Sequence, residues 1–438
     1  MRADLTMKTK PTSRTRCLAS VLIIGLVITA VLILSLLSYL SLIHHQNMSV
    51  ARSQAWNAAL ALAEAGVEEA LAQLNPSASL RTNLLSGSAW SVNGTFYEPN
   101  SGPRSLIGGS YFVKYTDTPP PTIYSTGYAT VPALSAVIKR VVEVKTTGAP
   151  MFDTALAARQ DIDFKGNRIM VDSYDSSDDR YSTPLGMYDL LKRKAGGDVA
   201  TTSGLVNVGN ADIKGKLLTG ESGSYVLGPL GEVGDLPWTG PGIKPGWWNN
   251  DFNAEFPDVL APFSSATTPG SKTAANGTNY TYHLTSGNYM INGDVTLNNP
   301  DKIYVGGNAI LYVTGNFSMS GKSVIYIDSG AKLKLFVGGA NADFTYINTE
   351  GNANTFQYYG LRSNTSLTWS GNANYVGTVY APRAMFTLGG GGLETMDYQG
   401  ACVVNAVKLN GKFNFHYDEN LKRAEQIRGY LAISWKEI

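Results

Sequence analysis

Residues 17–43 contain no charged side chain, and a helical pattern continues beyond them as far as Pro76. The hydrocarbon core of a bilayer is about 30 Å thick and needs roughly 20 apolar helical residues to cross it. The 27 residues of this run can therefore span a membrane with some tilt. The pattern predicts one rod that begins in lipid, as a transmembrane helix over 17–43, and ends in water, as an amphipathic extension over 44–76.

The charges that flank the apolar run predict its orientation. Basic residues are concentrated before it, at Arg2, Lys8, Lys10, Arg14 and Arg16. Because positive residues favour the cytoplasmic side, we expect a cytoplasmic tail over 1–16 and a position in the inner membrane, with the remaining chain periplasmic or extracellular. The run is too long for a secretory signal and no small-residue cleavage site follows it, which predicts a retained single-pass anchor.

The extension repeats apolar residues at the three- and four-residue spacing of one helix face. These residues are Trp56, Leu60, Ala63, Val67, Leu71 and Leu74. We expect this face to pack on the structure that follows, and Pro76 to end the helix. The alternative is a membrane helix and an unrelated second helix, separated by a bend at Ser49.

Strand-like runs broken by turn clusters follow, among them SYFVKYTD and TIYSTGYATV. They predict a small antiparallel sheet within 77–150. A long helix followed by such a sheet can bury its apolar face against it, which is an α+β arrangement. The chain as a whole is therefore predicted to be α+β with a large all-β part.

The β-rich region over 151–438 is marked by recurring Gly-Asn and Gly-Asp pairs. The pairs at 287 and 307, and at 351 and 371, are 20 residues apart, which is about one turn of a parallel β-solenoid. An antiparallel β-sandwich is the alternative, because such pairs also form hairpin turns. Positions predicted to line a solenoid interior are Ile303, Val305, Ile310, Tyr312, Val324 and Tyr326. The proline- and tryptophan-rich stretch over 229–279 is predicted to be an insertion packed over the β body.

Composition and motifs offer little chemistry. A net charge of +1 and scattered basic residues argue against nucleic acid as a partner. The sequence has no P-loop, no GxSxG and no CxxC motif, and two of its four histidines adjoin the apolar run. Cys17 and Cys402 lie in different regions, so Cys402 is interpreted as a small buried hydrophobe. We expect neither an enzyme nor a bound cofactor.

Two acidic segments remain. The first supplies the candidate calcium ligands Asp172, Asp175, Asp178 and Asp179, for which a solvated turn is the alternative. The second, FHYDENL, brings His416, Asp418 and Glu419 together, and acid–base chemistry is one interpretation of that grouping. Asp418 is interpreted there as the N-cap of a helix that continues through Arg428.

The basic tail, the apolar run and the segment AxxLAEAGVEEAL over 59–71 resemble the PilX-type N-terminal region of minor type IV pilins and pseudopilins. The later segments GNANYVGTVYAPRAMFTL and LNGKFNFHYDENL resemble a β-rich domain of unknown function found after such pilin-like starts. The resemblance implies assembly with other pilin-like subunits or with a pilus or secretion platform. The apolar run contains no acid, which favours an uncommon tip or priming subunit over a major subunit that repeats many times. Prepilins usually carry a glycine just before the run, where the leader is cut, and this chain has Thr15 and Arg16 there.

We therefore expect a structural protein of a type IV pilus or type II secretion pseudopilus. Helix packing in lipid or in a filament is predicted to use Leu22, Ile24, Val27, Val31, Leu34, Leu37, Leu60, Ala63, Val67, Leu71 and Leu74. The alternative is an anchored polysaccharide-binding protein or lyase on a β-solenoid, with contact to surface glycans through Trp247, Trp248 and Trp369. A cytoskeletal scaffold, a third interpretation, conflicts with the predicted export of the β region.

Overall fold

The structure, a computed structural model, describes residues 16–75, 90–132, 134, 136–165, 169–349, 351–390, 394–423 and 427–438. Most of the predicted tail, the predicted helix terminator Pro76 and the first part of the predicted sheet region lie outside the described residues. The chain divides into two compact units. The helix–sheet unit comprises described residues of 1–72, 88–146 and 432–438, and the solenoid unit those of 73–87 and 147–431.

A single α-helix, α1, spans Arg16–Leu74 in 59 residues. At 1.5 Å per residue it is roughly 88 Å long. It contains none of the prolines that break or kink helices, and it continues through Ser49. The prediction of one rod is confirmed, and the alternative of two separate helices is wrong.

A seven-stranded antiparallel sheet belongs mainly to the helix–sheet unit. Its strands are β1 (Trp90–Asn93), β2 (Phe96–Pro99), β3 (Arg104–Leu106), β4 (Gly109–Thr116), β5 (Thr122–Thr130), β6 (Val137–Pro150) and, last in the chain, β35 (Ile427–Glu437). The order is β1-β2-β4-β5-β6-β35, and β3 pairs with β4. Gly127 of β5 lies opposite Tyr111 of β4 and Arg140 of β6. The predicted antiparallel sheet is confirmed.

The first half of the solenoid unit stacks short parallel strands in three rows. These strands are β7 (Leu156–Ala158), β8 (Ile162–Phe164), β9 (Met170–Tyr174), β10 (Val199–Thr201), β11 (Leu205–Gly209), β12 (Asp212–Lys214), β13 (Leu217–Thr219), β14 (Ser224–Leu227), β15 (Glu232–Gly234), β16 (Gly242–Ile243) and β17 (Trp248–Asn249). A 3₁₀ helix, Leu190–Lys192, lies between β9 and β10. Strands β10, β11 and β12 stack on β7, β8 and β9, and each later turn continues these rows.

The second half repeats this construction with longer turns. Its strands are β20 (Tyr282–Leu284), β21 (Gly287–Ile291), β22 (Val295–Leu297), β23 (Lys302–Val305), β24 (Asn308–Val313), β25 (Phe317–Met319), β26 (Val324–Ile327), β27 (Lys332–Val337), β28 (Asn341–Phe344), β29 (Ile347–Thr349), β30 (Phe356–Gly360), β31 (Ser366–Trp369), β32 (Tyr375–Leu388), β33 (Met396–Leu409) and β34 (Phe413–Asp418). A two-stranded hairpin of β18 (Lys272–Thr273) and β19 (Asn279–Tyr280) precedes them, and a 3₁₀ helix, Glu419–Arg423, follows. Val295 pairs with Phe317, so one turn takes 22 residues here rather than the predicted 20.

The two halves join in an order that the sequence did not suggest. Strands β33 and β34, from the last turn, pair in parallel with β7, β8 and β9 of the first turn. The first turn therefore lies between the second turn and the last one. The solenoid part of the chain starts in the middle of the stack, at β7, and adds turns toward one end. It then crosses over after β17 and builds back from the other end.

This topology revises the predicted insertion over 229–279. Strands β15, β16 and β17 pair with earlier turns, so the first part of that stretch continues the stack. Prolines and tryptophans shorten β16 and β17 to two residues each, which hides them from a strand pattern. Only the residues after Asn249 form the crossover.

The solenoid comprises about nine turns, and its parallel ladders make the β-sandwich alternative wrong. Ile303, Val305 and Val324 are buried as predicted. Ile310, Tyr312 and Tyr326 are only partly buried, while Ala309, Leu311, Val313, Ile325 and Ile327 are buried in the same strands. The predicted facing is wrong at these three positions because a shift of one residue reverses the face of every side chain in a strand.

Candidate assembly site on the helix and its sheet

The second part of α1 packs on the sheet through small side chains. The buried residues of this helix face are Ala55, Ala59, Leu62, Ala63, Gly66, Val67 and Ala70. Leu60, Leu71 and Leu74 are half-buried, and Trp56 is 50% exposed. The predicted face is thus wrong at Trp56, since alanine and glycine, rather than the large residues beside them, form the centre of the contact.

Glycine on both elements lets the backbones come close together. A Cβ atom added to Gly127 of β5 would lie 1.9 Å from the carbonyl oxygen of Ala59 and 2.7 Å from the amide nitrogen of Ala63. A Cβ atom added to Gly66 of α1 would lie 2.2 Å from Oγ of Ser125. None of these three distances is compatible with a side chain at the present spacing, so the two glycines determine how closely the helix approaches the sheet.

An ionic network connects the same helix to two strands. Nε and Nη2 of Arg104 donate to Oε1 of Glu69 at 3.1 and 2.9 Å, and the hydroxyl of Tyr111 donates to Oε2 at 2.8 Å. Burial, together with the hydrogen bond to Glu69, raises the pKa of Tyr111 to about 12. The carboxylate thus has a partner for each oxygen, which fixes the rotation of α1 about its axis.

A second contact connects α1 to β6 and to the end of the chain. The guanidinium of Arg140 lies 4.7 Å from the ring centroid of Trp56, and its Nε donates to Oε1 of Glu437 at 2.5 Å. The amide of Ile438 donates to the carbonyl of Val141 at 3.0 Å. The last strand is therefore joined to the sheet by an ion pair as well as by the backbone ladder.

The first part of α1 differs from the second in having no neighbours in the described chain. The predicted membrane positions Leu22, Ile24, Val27, Val31, Leu34 and Leu37 are each more than half exposed. Among the described residues, one helix is long and apolar enough to cross a membrane, and it includes this segment. A row of large exposed aliphatic side chains is costly in water and favourable in lipid, so this part of α1 fits a single-pass anchor.

Two of the candidate calcium ligands, Asp175 and Asp178, pair with arginines through their carboxylates, whereas Asp179 makes its contact through the backbone carbonyl. Asp175 accepts two hydrogen bonds from Arg423 at 2.6 and 2.7 Å. The side chain of Arg180 pairs with Asp178 and lowers the pKa of that carboxyl to about 2. The carbonyl of Asp179 accepts from Lys192 at 2.7 Å. In the part of the chain that the structure describes, no three His, Cys, Asp or Glu side chains are grouped to hold a metal ion.

The fourth candidate, Asp172, is part of a buried cluster that the sequence did not indicate. Nδ1 and Nε2 of His416 lie 2.6 Å from Asp172 and 3.2 Å from Asp397. Tyr188 stacks on the imidazole at 3.6 Å and donates to Oδ2 of Asp172 at 2.8 Å. Burial by itself lowers the pKa of His416, but the hydrogen bonds to the two carboxylates outweigh it and raise the pKa above its ordinary value.

The FHYDENL segment corrects one prediction and adds a contact. Among the described residues here, Glu419–Arg423 form a 3₁₀ helix, and Arg428 lies in the strand β35, which begins at Ile427, so the helix predicted through Arg428 is wrong. Oδ1 of Asp418 accepts the amides of Asn420 and Ser176 at 3.1 and 3.0 Å. Asp418 thus caps a short turn and joins two segments, and its burial raises the pKa of the carboxyl.

Two other predicted residue sets have clear positions. Cys402 is buried in β33, as predicted, and burial raises the pKa of its thiol well above the usual range. Of the tryptophans predicted to stack on sugars, Trp248 is 40% exposed and Trp247 is partly buried. Trp369 is fully buried in the solenoid core, so the prediction is wrong for it.

Comparisons with known proteins give limited matches. A family described as a domain of unknown function (DUF7305) matches residues 262–424, which include the second half of the solenoid. No curated protein matches the chain. Among solved structures, the competence-associated pilin ComZ from Thermus thermophilus is similar, with 10% sequence identity, coverage of 87% of this chain and 97% of that chain, and a TM-score of 0.21. At that TM-score the likeness assigns neither a fold nor a function.

Proposed function

We propose that the chain is a membrane-anchored, pilin-like structural protein with no enzymatic role. In this proposal it is a PilX-like minor pilin or pseudopilin, and acts as a tip or priming subunit of a type IV pilus or a type II secretion pseudopilus. One observation carries the proposal. The 59-residue helix α1 is apolar and exposed over its first part and packed on an antiparallel sheet over its second.

This division of α1 supplies two different contacts. The exposed aliphatic part would remain in the inner membrane until assembly and then pack on the helices of neighbouring subunits, since its side chains need an apolar environment in both states. The packed part would transmit the position of that helix to the sheet through the close contact at Gly66 and Gly127. The basic tail would remain cytoplasmic and the solenoid would face the periplasm or the cell exterior.

The solenoid supports the role of a displayed body rather than a self-polymerising scaffold. At one end of the stack, the strands β16 and β17 have two residues each and are flanked by Pro241 and Pro245. At the other end, Thr267 bridges to Tyr289, and the hairpin β18–β19 precedes β20, the first strand of the second half. Short edges, prolines and covering segments are devices that prevent strand pairing between molecules.

Localisation of the full chain in the bacterium that encodes it tests the proposal. A C-terminal epitope tag would be followed in membrane, soluble and sheared-filament fractions, and by immunogold labelling of filaments. We expect a membrane pool that only detergent extracts, and labels at filament ends rather than along filaments. N-terminal sequencing of both pools would show whether a leader is removed on assembly.

A matched pair of variants connects this localisation to α1. Val31→Arg places a charge in the middle of the apolar segment and is expected to make the free energy of membrane insertion less favourable by about 3 kcal/mol. Val31→Leu keeps the segment apolar and is expected to behave as the wild type. A soluble wild-type protein would overturn the anchor. A membrane-bound protein that never reaches filaments would overturn the pilus role.

A further inference from the structure

The crossover between the two solenoid halves forms a strap, residues 252–267, along the outer surface of the stack. Its amide at Phe252 donates to Thr219 in the first half, and its carbonyl at Pro257 accepts the hydroxyl of Tyr380 at 2.9 Å. Further along, Val259 bridges to Leu361. The strap therefore crosses successive turns and creates walled depressions on either side of itself.

One depression, here called the arginine groove, has a volume of about 580 Å³. Its wall is formed by residues at the same corner of consecutive turns, which are Arg362, Arg383, Asn405, Arg159 with Gln160, and Thr202 with Ser203. The strands beside these corners stack in the order β30/β31, β32, β33, β7 and β10. Five turns at a strand spacing of about 4.8 Å give the groove a length of roughly 19 Å.

The arginine groove carries an excess of positive charge. Asp258 of the strap is its buried anion, and Arg383 donates to both its oxygens at 2.7 and 2.9 Å. Arg159 lies 3.5 Å and Arg362 3.9 Å from the same carboxylate. Glu255 also lines the groove, so three guanidiniums face two carboxylates. Burial lowers the pKa of Arg159, and the charge of Arg383 adds to this effect.

Arg362 differs from the other two arginines in its freedom. Its side chain is 71% exposed, and its contact with Asp258 is the longest of the three. Arg383 and Arg159 hold the strap through Asp258, whereas the third guanidinium, that of Arg362 at 3.9 Å, contributes little binding energy to this ion-pair cluster. A planar donor fork at the mouth of a positive groove is suited to a carboxylate or sulfate from outside.

Across the strap lies a second depression of about 550 Å³ with an aromatic floor. Phe336 and Tyr359 are stacked with ring centroids 4.6 Å apart, and Tyr380 follows Tyr359 on the next turn. Tyr359 and Tyr380 are buried, so Phe336, which is partly exposed, is the ring of this floor that can meet the apolar face of a sugar.

In the arginine groove, Thr202 donates to the carbonyl of Arg159 and Asn405 donates to Gln160, which leaves their oxygens to accept from sugar hydroxyls. The strap residues Pro257 and Asp258 line both depressions, so the aromatic floor lies on one side of the strap and the polar and cationic groups lie on the other.

We propose that the arginine groove binds an acidic carbohydrate, with Arg362 pairing with a carboxylate of the ligand and the polar corners pairing with its hydroxyls. This activity goes beyond the proposed role in a pilus and does not depend on it. The bound ligand would be a linear chain, because the groove follows the solenoid axis over five turns. A role limited to holding the strap is the alternative that the experiment must separate.

The test is calorimetric titration of the detergent-solubilised full chain with an oligomer of galacturonic acid. We expect saturable binding that weakens with added salt, and no binding of an uncharged galactose oligomer. Arg362→Gln is expected to reduce the affinity about tenfold, the value of one charge-assisted hydrogen bond. Arg180→Gln removes an exposed arginine that pairs with Asp178, outside the groove lining, and serves as the matched control with unchanged binding.

Thermal unfolding of each variant confirms that the fold is intact, since Arg362 is exposed and its removal is expected to leave stability unchanged. Absence of saturable binding to the wild type would overturn the proposal. So would equal affinity in Arg362→Gln, which would limit the arginines to holding the strap. Complete competition by inorganic sulfate at the same concentration would show a general anion site and would overturn the carbohydrate assignment.

Discussion

Nδ1 of His416 lies 2.6 Å from Oδ1 of Asp172, and the contact joins the last turn of the solenoid to its first across 244 residues of sequence. The backbone follows the same seam, because His416 and Asp172 are register partners in the parallel pair β34–β9. The side-chain contact and the backbone ladder therefore join the first and last turns of the solenoid at the same place. Both halves of the solenoid depend on this seam, since the first turn has the second turn on one side and the last turn on the other.

The stability of the seam is predicted to depend on pH through His416. Its pKa is raised in the folded chain, so its stabilising contribution is complete below the unfolded value of about 6.5 and is lost as the pH rises through the folded value. The groups that face it are Asp172, Asp397 and Tyr188. Thermal unfolding followed by circular dichroism between about pH 6 and pH 9 should show a falling midpoint.

His416→Gln is expected to cost about 2 kcal/mol at the acidic end of this range and to flatten the pH dependence. The variant removes the closest cation of the buried Asp172 carboxylate and leaves only Arg193, at 3.8 Å. His283→Gln is the control, since that histidine lies on the outer surface beside Tyr304 and its pKa is lowered. An unchanged pH slope in His416→Gln would show that other groups titrate at the seam.

The close helix–sheet contact predicts an ordered series of glycine substitutions. Gly127→Ala forces a methyl group against backbone atoms of α1 that cannot move separately, and is expected to destabilise the helix–sheet unit by about 2 kcal/mol. Gly66→Ala meets the side chain of Ser125 and should cost less. Hydrogen exchange of the amides in β4 and β5 measures the effect locally.

Gly25→Ala is the control for this series, because it lies in the same helix with nothing within 4 Å of the added carbon. We expect no change in exchange of the sheet amides for this variant. If the β4 and β5 amides exchanged as slowly in Gly127→Ala as in Gly25→Ala, the close approach of the Ala59 carbonyl to Gly127 would not limit the stability of the unit.

The strap is predicted to be held by Asp258. Asp258→Asn leaves three arginines without their shared anion and is expected to destabilise the strap by about 3 kcal/mol, which limited proteolysis within 252–267 would detect. The hydrogen bonds from Arg383 lower the pKa of Asp258, so this contribution is present above its ordinary value and lost as the pH falls through the folded value.

Asp251→Asn is the matched control for the strap, since Asp251 is exposed and immediately precedes it. It should leave the cleavage rate unchanged at neutral pH. Equal rates for both variants would mean that the backbone bridges and aromatic contacts hold the strap without the ion pairs.

Local patterns in the sequence predicted the rod and the strand type, but not the contacts between distant residues. The uncharged run over 17–43 and the absence of proline between Cys17 and Pro76 are sufficient for one helix. Gly-Asn corners predicted the solenoid because each turn repeats the same local geometry. The face of α1 was predicted correctly at Ala63 and Val67 and wrongly at Trp56, because hydrophobicity favours a large residue there whereas packing distance favours Ala59 and Gly66.

Sites that form where the last turn packs on the first cannot be recognised from a sequence pattern. Asp172 and His416, or Arg159 and Arg383, come together only because the last turn lies on the first. Each of these side chains, considered alone in its segment, has the composition of an ordinary turn or strand. Contacts between residues so far apart in the sequence depend on topology, and a shift of the chain by one turn would give each of these residues a different partner.

The thiol of Cys402 gives a last prediction, on the cohesion of the seam. Cys402 is fully buried in β33, where it pairs in register with Leu156 of the first turn, and burial raises the pKa of its thiol. A neutral buried thiol does not react, so in a Cys17→Ser background maleimide should label Cys402 only when the first and last turns separate. We expect no labelling of the folded chain at neutral pH and complete labelling in denaturant, measured by intact mass. The His416→Gln variant should be labelled faster than the His283→Gln control. Equal rates in the two variants would show that this histidine does not hold the turns together.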